Sequence, residues 1–472
     1  MTYKNVLVLM SDEHSRAVVG CYGNELVMTP NLDALASRGT RFAHAYTNSP
    51  ICVPARAAFA TGRYVFENAC WDNAQPYKGE PESWGHALRR RGVGCVSVGK
   101  LHYRRESDDT GFDEQFLPMH VVDGVGDVLG AVRDPPPERP KSKAVATEIG
   151  PGESSYTAFD RAVTDKACQW LGSHGSKAPW AMFVGWVAPH FPLISPPDTY
   201  SLYSPPKMPM PKLWRPEQWP LHPWLDAFRK SFNTDTYFTE TTRQIALASY
   251  YGLVTFMDRN LGRVLAALER CGAANDTLVI YSSDHGDNLG SRGLWGKSTM
   301  YEESVGVPML IAGASIPAGR CSSTPVSLID LHPTILDAVG IRKSPGTAGE
   351  SLIGLAQAPD ASDRAVFSEY HAAGAVTGVF MLRKGRHKYI HYVGMRPQLF
   401  DLESDPQELN DIACNFENAT LLDQLEQELR AICSPEQVDE NAKRDQASLV
   451  SLHGGRAAVV AKGGFGATPV PG

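Results

Sequence analysis

Short apolar runs alternate with helix-forming stretches along most of this chain, and that rhythm restricts the fold more than any other feature. Val6–Met10, Val96–Val98, Ala181–Val187, Leu278–Tyr281 and Pro308–Ile311 are apolar at consecutive positions rather than alternate ones. A strand buried on both faces needs that pattern, and such strands belong to parallel sheets covered by helices. Ahead of Leu278, the residues Leu247, Tyr250, Val254, Met257, Leu261, Val264 and Leu268 recur at steps of three and four. They make one apolar stripe on one long helix. Gly272 follows as a stop signal before the next strand. The alternation predicts an α/β fold, with any site gathered at the carboxyl ends of the strands.

Two segments interrupt the rhythm. Residues 121–160 are rich in Gly, Pro and charge, and 189–223 carries eleven prolines with Trp214 and Trp219, followed directly by Trp224. The second is too aromatic for a plain linker and is expected to order over the site. After about residue 365 the pattern turns antiparallel: Ala365–Tyr370, Val376–Arg383 and His387–Tyr392, with Lys384-Gly385 as a turn and a helix near Leu421–Ile432. The division that follows is an α/β domain over 1–364, a smaller antiparallel unit with its helix over 365–440, and an arm over 441–472. The last thirty residues cannot form a core alone, so they are expected to be loose or to pack on a neighbouring subunit of a homo-oligomer.

Composition narrows the function. With 45 Lys and Arg against 52 Asp and Glu, the net charge is −7, without the basic field of a nucleic-acid binder. Nine scattered cysteines contain no CxxC pair, which points away from zinc knuckles and thioredoxin-type chemistry. The N-terminus reads as a strand, and no apolar run approaches membrane-spanning length. A cytoplasmic chain without a nucleic-acid or membrane partner is the expectation.

The sharpest motif is Cys52-Val53-Pro54-Ala55-Arg56, continuing to Thr61-Gly62-Arg63. Cys52 has three readings: a small buried hydrophobe, a thiolate activated by Arg56, or a precursor oxidised to a formylglycine aldehyde. Asp12 directly follows a strand, where it serves either as a turn or cap residue or as a hard metal ligand. Asp284-His285 follows another strand and has the same two readings.

Cys52-x-Pro54-x-Arg56 with Thr61-Gly62 resembles the signature of the formylglycine-dependent sulfatases in the alkaline phosphatase superfamily. Other elements resemble that family in the same order: Asp12, Gly99-Lys100-Leu101-His102, Pro189-His190 with Pro192, Ser283-Asp284-His285-Gly286-Asp287, Gly296-Lys297 before Tyr301-Glu302, and Asp401-Leu402-Glu403-Ser404-Asp405-Pro406. The resemblance implies a large mixed, mostly parallel sheet sandwiched by helices, with a smaller C-terminal antiparallel sheet. It also implies a sulfatase. One divalent ion (Ca²⁺, Mn²⁺ or Mg²⁺) would be held by Asp12, Asp284, His285 and position 52, with Glu13 as a further candidate.

The hydrated aldehyde would attack sulfur, His190 or Lys297 would protonate the leaving oxygen, and His102 would free the bound sulfate. Arg56 and Lys100 would hold the nucleophile, and a formylglycine-generating enzyme would be the maturation partner. The sequence departs from the common pattern at Glu13, where many sulfatases have Asp, at His285, where many have Asn, and at Val53, usually a small residue. A phosphonate monoester or phosphodiester hydrolase of the same superfamily is the alternative, and a silent binding protein the third reading. Trp71-Asp72-Asn73-Ala74 resembles a stretch of choline sulfatases and suits a quaternary ammonium through cation–π attraction; the competing reading packs Trp71 in the core with Asp72 capping a turn. Tyr103, His14, Trp186 and Trp295 flank motif residues as candidate pocket walls.

Overall fold

The computed structural model describes residues 3–177, 179–343, 346–464 and 466–471. Its centre is an eight-stranded sheet made of β1 (Asn5–Asp12), β2 (Gly39–Phe42), β3 (Gly94–Lys100), β4 (Glu114–Met119), β5 (Trp180–Pro189), β6 (Thr277–Ser283), β7 (Met309–Ala312) and β8 (Arg320–Ser322). The spatial order is β8-β2-β7-β6-β1-β5-β3-β4. All strands run parallel except β7, which is antiparallel to both β6 and β2. A short continuous apolar run cannot reveal strand direction, so Pro308–Ile311 looked like its parallel neighbours.

The consecutive apolar residues of β1 split between two cores as a strand's period of two requires. Val6, Val8 and Met10 enter one apolar cluster and Leu7 and Leu9 the other. Each such side chain contributes roughly 1.5–3 kcal/mol by leaving water. Helix α1 (Cys52–Thr61) covers the first face. On the second lie α2 (Ser155–His174) and α3 (Glu240–Arg270). The latter extends the expected stripe because Thr239 accepts from Thr242 N and caps the helix two turns before Leu247.

A second sheet, β9 (Val366–Tyr370), β10 (Val379–Lys384), β11 (His387–Tyr392) and β12 (Gln398–Asp401), is an antiparallel meander. Helix α4 (Ala419–Ile432) lays Leu425 and Leu429 against Phe367, Phe380 and Leu399. The expected α/β architecture with a smaller antiparallel sheet is what the structure contains; β12, only four residues long, was not anticipated. Fully buried Lys388 in β11 pairs with Glu302 at 2.9 Å and Glu408 at 2.8 Å, fastening this sheet to the segment that follows Lys297.

The C-terminal residues find their core in the same chain. Helices α5 (Pro435–Leu452) and α6 (Gly455–Lys462) bury Val450 and Val459 against Leu129, Ala131 and Val132. The described residues of this stretch are therefore packed against the same chain rather than loose. Among the described residues no helix is long and apolar enough to cross a membrane.

Candidate active site

Four adjacent strands, β6-β1-β5-β3, bring their carboxyl ends together, the place where parallel sheets collect functional groups. β1 ends in Asp12 and leads into Glu13; β6 leads into Asp284 and His285; β5 into His190; β3 ends in Lys100 and leads to His102. The β3 tip is bent by a glycine pair. Gly99 has φ +94°, and a Cβ there would lie 2.2 Å from the Gly185 carbonyl oxygen, so only glycine permits the shift that presents Lys100.

Cys52 opens α1 below these tips, and Arg56 lies one turn later on the same helix face. Arg56 is fully committed. Its Nε donates to Asp284 Oδ2 at 2.8 Å, one terminal nitrogen to Asp12 Oδ2 at 2.9 Å, and the other to the Lys100 carbonyl at 2.7 Å. Lys100 Nζ lies 2.8 Å from the same Asp12 oxygen. Each aspartate thus spends one oxygen on Arg56. The other oxygens stay nearer the thiol and the imidazole: Asp12 Oδ1 is 3.7 Å from Cys52 Sγ and 3.8 Å from His285 Nε2, and Asp284 Oδ1 is 3.6 Å from His285 Nε2. Cys52 Sγ is also 3.3 Å from His285 Nε2 and 3.2 Å from Lys297 Nζ.

Electrostatics follow from burial. Burial pushes the Asp12 carboxyl up, but Lys100, His190, Arg56 and Lys297 together outweigh it and hold the group well below the usual range. Burial and the nearby Asp12 raise the Cys52 thiol to about 11, with Lys297 acting against them. A thiol so placed is protonated near neutrality, and Arg56 is spent on carboxylates, so the thiolate reading loses its physical basis. Burial would lower the Lys297 ammonium, yet Cys52, Glu13, Asp12 and Asp284 hold it well above its ordinary value. His102 and His190 are pushed well below theirs, by burial first and then by Lys100 and Lys297 respectively.

The donor set suits a divalent cation. One ligand atom each from Asp12, Cys52, Asp284 and His285 lies within 4.8 Å of the others, all buried. Hard oxygens with one imidazole fit Ca²⁺, Mg²⁺ or Mn²⁺. Glu13 falls in a separate grouping with Asp12 and His190. Its Oε2 is 3.3 Å from His190 Nε2 and 3.4 Å from Lys297 Nζ, whereas buried Oε1 has no partner. Burial raises this carboxyl to about 8, with Lys297 pulling it down. Glu13, His102 and Ser298 all have left-handed φ, at 68°, 56° and 84°, backbone strain of the kind held in place at functional sites.

A cavity opens on Cys52, Lys100, His102, His190 and Lys297, with aromatic walls from Phe191, Phe228, Phe232 and Trp295. Phe191 comes from the proline-rich segment expected over the site. Of the choline-sulfatase-like stretch only Asn73 lines the cavity. Trp71 donates from Nε1 to Asp445 at 3.0 Å and meets His371 edge-on, and Asp72 accepts from Gln446 and the Ala74 N–H, so the packing-and-turn reading describes both. Tyr103 is also a correction: buried against Tyr77, it does not reach the cavity. His14 and Trp186 are tied to Tyr281 and Thr164 within the core. Sequence reasoning missed Thr468, which sits 2.9 Å from His102 Nε2 in a stretch without any motif.

The sulfatase family model matches residues 4–341, and one described as N-sulphoglucosamine sulphohydrolase, C-terminal, matches residues 290–434. The chain is 30% identical over 464 residues to arylsulfatase K of Danio rerio, covering 93% of this chain and 86% of that one. It is 30% identical over 437 residues to a choline-sulfatase of Rhizobium meliloti (strain 1021), covering 87% and 82%. Among solved structures, the phosphonate monoester hydrolase of Agrobacterium radiobacter superposes with a TM-score of 0.76 at 23% identity, covering 91% of this chain and 95% of that one, a likeness of fold. Matches that run through both sheets and through the strand tips gathered around Cys52 place this chain in the sulfatase family, as a sulfuric ester hydrolase.

Proposed function

We propose that the chain hydrolyses sulfate monoesters with a nucleophile formed at position 52, where Cys52 is converted by a formylglycine-generating enzyme to an aldehyde and hydrated. The observation that carries this is the placement of Cys52 Sγ, within 3.2–3.7 Å of Lys297, His285 and Asp12 and above a saturated Arg56. A protonated thiol is a poor nucleophile there, whereas one hydroxyl of a geminal diol attacks sulfur and the other later allows sulfate to leave.

Asp12, Asp284, His285 and residue 52 would hold a divalent ion, which supplies positive charge to the sulfate oxygens and acidifies the attacking hydroxyl. Buried Lys100 and half-buried Lys297, both lining the cavity, offset the charge of the ester group. Arg56 holds the two aspartates in register with the helix that carries position 52. His190 or Lys297 donates a proton to the departing alcohol oxygen. His102 accepts the proton whose loss expels sulfate. The aromatic walls suit an apolar or aryl alcohol. Of the Trp71–Ala74 stretch, Asn73 is the residue that faces the cavity, while Trp71 and Asp72 pack against α5.

Intact mass and turnover together test the reading. Protein matured in a host with the converting enzyme should show the aldehyde at position 52 and cleave nitrophenyl sulfate. Faster cleavage of a nitrophenyl phosphonate ester would instead favour the phosphonate monoester or phosphodiester alternative.

A further inference from the structure

One wall of the cavity is built from five residues near the C-terminus: Gly463, Gly464, Gly466, Ala467 and Thr468. Two anchors hold it. Ahead of it, Val459 of α6 packs on Leu129, Ala131 and Val132; behind it, Ala467 and Val470 join the cluster of Tyr156, Phe159 and Val187. Between the anchors the backbone passes very close to the Asp127–Arg139 ion pair. A Cβ at Gly464 would lie 2.7 Å from Asp127 Oδ1, so the segment is fitted to its neighbours rather than draped over them.

Thr468 touches both histidines of the site, one directly and one through an intermediary. Its hydroxyl lies 2.9 Å from His102 Nε2. Its carbonyl accepts from the Tyr156 hydroxyl at 2.5 Å, and the Tyr156 ring meets His190 edge-on, with centroids 6.1 Å apart. His102 has little else to orient it. Its backbone is left-handed, and Nδ1 is buried without a hydrogen-bond partner. When the Thr468 hydroxyl accepts from Nε2–H, the ring lone pair is left on Nδ1, which no other group occupies and which is then free to act as a base.

We propose that Thr468 is a positioning residue that holds His102 in the tautomer and orientation needed to release sulfate. The proposal rests on the formylglycine reading above. In the step concerned, His102 takes the proton of the free hydroxyl on residue 52. The oxygen's electron pair then forms the C=O bond, and the carbon–oxygen bond to sulfate breaks with its pair leaving on sulfate. The aldehyde is regenerated.

Thr468→Val removes the hydroxyl at nearly constant volume, and Thr468→Ser retains it. If release is slowed, kcat and KM should fall together by about tenfold, a hydrogen bond's worth, while kcat/KM, which reports sulfur transfer, stays within about twofold. Rapidly quenched T468V under saturating nitrophenyl sulfate should show the covalent sulfate adduct by intact mass, and T468S should restore wild-type behaviour. Unchanged kcat in T468V, or a fall in kcat/KM without adduct, overturns the positioning role. The wild-type mass separates the two failures: an active chain with an intact Cys52 thiol overturns the formylglycine reading together with this one, whereas an aldehyde-bearing wild type confines the failure to Thr468.

Discussion

Asn73 Oδ1 accepts the Val53 backbone N–H at 3.2 Å, pinning the first turn of the helix that starts with Cys52. The segment holding Asn73 is itself held by α5, through Asp445 to Trp71 and Gln446 to Asp72. A C-terminal helix thereby stabilises the position of residue 52. Asn73→Ala should lower kcat/KM about tenfold, with a urea midpoint little changed, because one hydrogen bond is lost but no large apolar group. Steady-state kinetics and urea titration check both halves.

Position 52 and the ion are predicted to be indispensable together. Cys52→Ala should reduce turnover by roughly 10³-fold or more while near-native stability remains. Stripping wild-type protein with EDTA should remove activity reversibly, and adding back Ca²⁺, Mn²⁺ or Mg²⁺ singly identifies the ion that serves.

The proton donor to the leaving group can be separated by alcohol acidity. Nitrophenolate departs with little help, while an alkyl alcohol needs a proton. The variant lacking the donor, Lys297→Ala or His190→Ala, should therefore lose roughly 10²-fold more rate on an alkyl sulfate than on nitrophenyl sulfate. A variant that weakens both substrates equally acts instead on charge or binding.

Asp12 supports the fold as well as the chemistry. It is fully buried and pairs with Arg56 and Lys100, both also buried. Asp12→Ala leaves two cations without that partner and should cost about 3–5 kcal/mol of stability. Chemical denaturation of metal-free protein isolates this loss from any contribution of the ion.

Acid sensitivity should include a term from His332, remote from the site. Its Nδ1 lies 2.9 Å from the Ala60 carbonyl oxygen, Nε2 is buried without a partner, and burial lowers its pKa from 6.5 to about 4, opposed by the Ala60 bond. The folded state resists protonating a ring that the unfolded chain protonates freely. Its contribution is complete above about pH 6.5 and is lost as pH falls toward 4, on the order of 3 kcal/mol. His332→Gln should flatten the stability profile across that window, as measured by urea midpoints between pH 7 and 4.

The parts of the site that were legible in sequence are those where chemistry and local geometry coincide. Asp12, Lys100, His190 and Asp284 each follow or end an apolar run, so period and position agreed. Trp71 and Asp72 misled because a local motif cannot say which side of a segment faces solvent; their partners, Asp445 and Gln446, lie more than 370 residues away in sequence. Thr468 was invisible for a related reason. A glycine-rich tail carries no periodicity, and the contact of Thr468 with His102 joins positions 366 residues apart. The direction of β7 likewise depends on connections rather than on its own apolar residues.

The pairing of β1 with β6 joins segments made far apart in time. Cys52 leaves the ribosome about 230 residues before Asp284, which at ~5–20 residues per second leaves it uncovered for roughly 10–50 s. Once the sheet closes, that side chain is only 1% exposed. Chemistry on the thiol by another protein would therefore have to precede closure of the sheet, and a slowed ribosome would lengthen the interval for it.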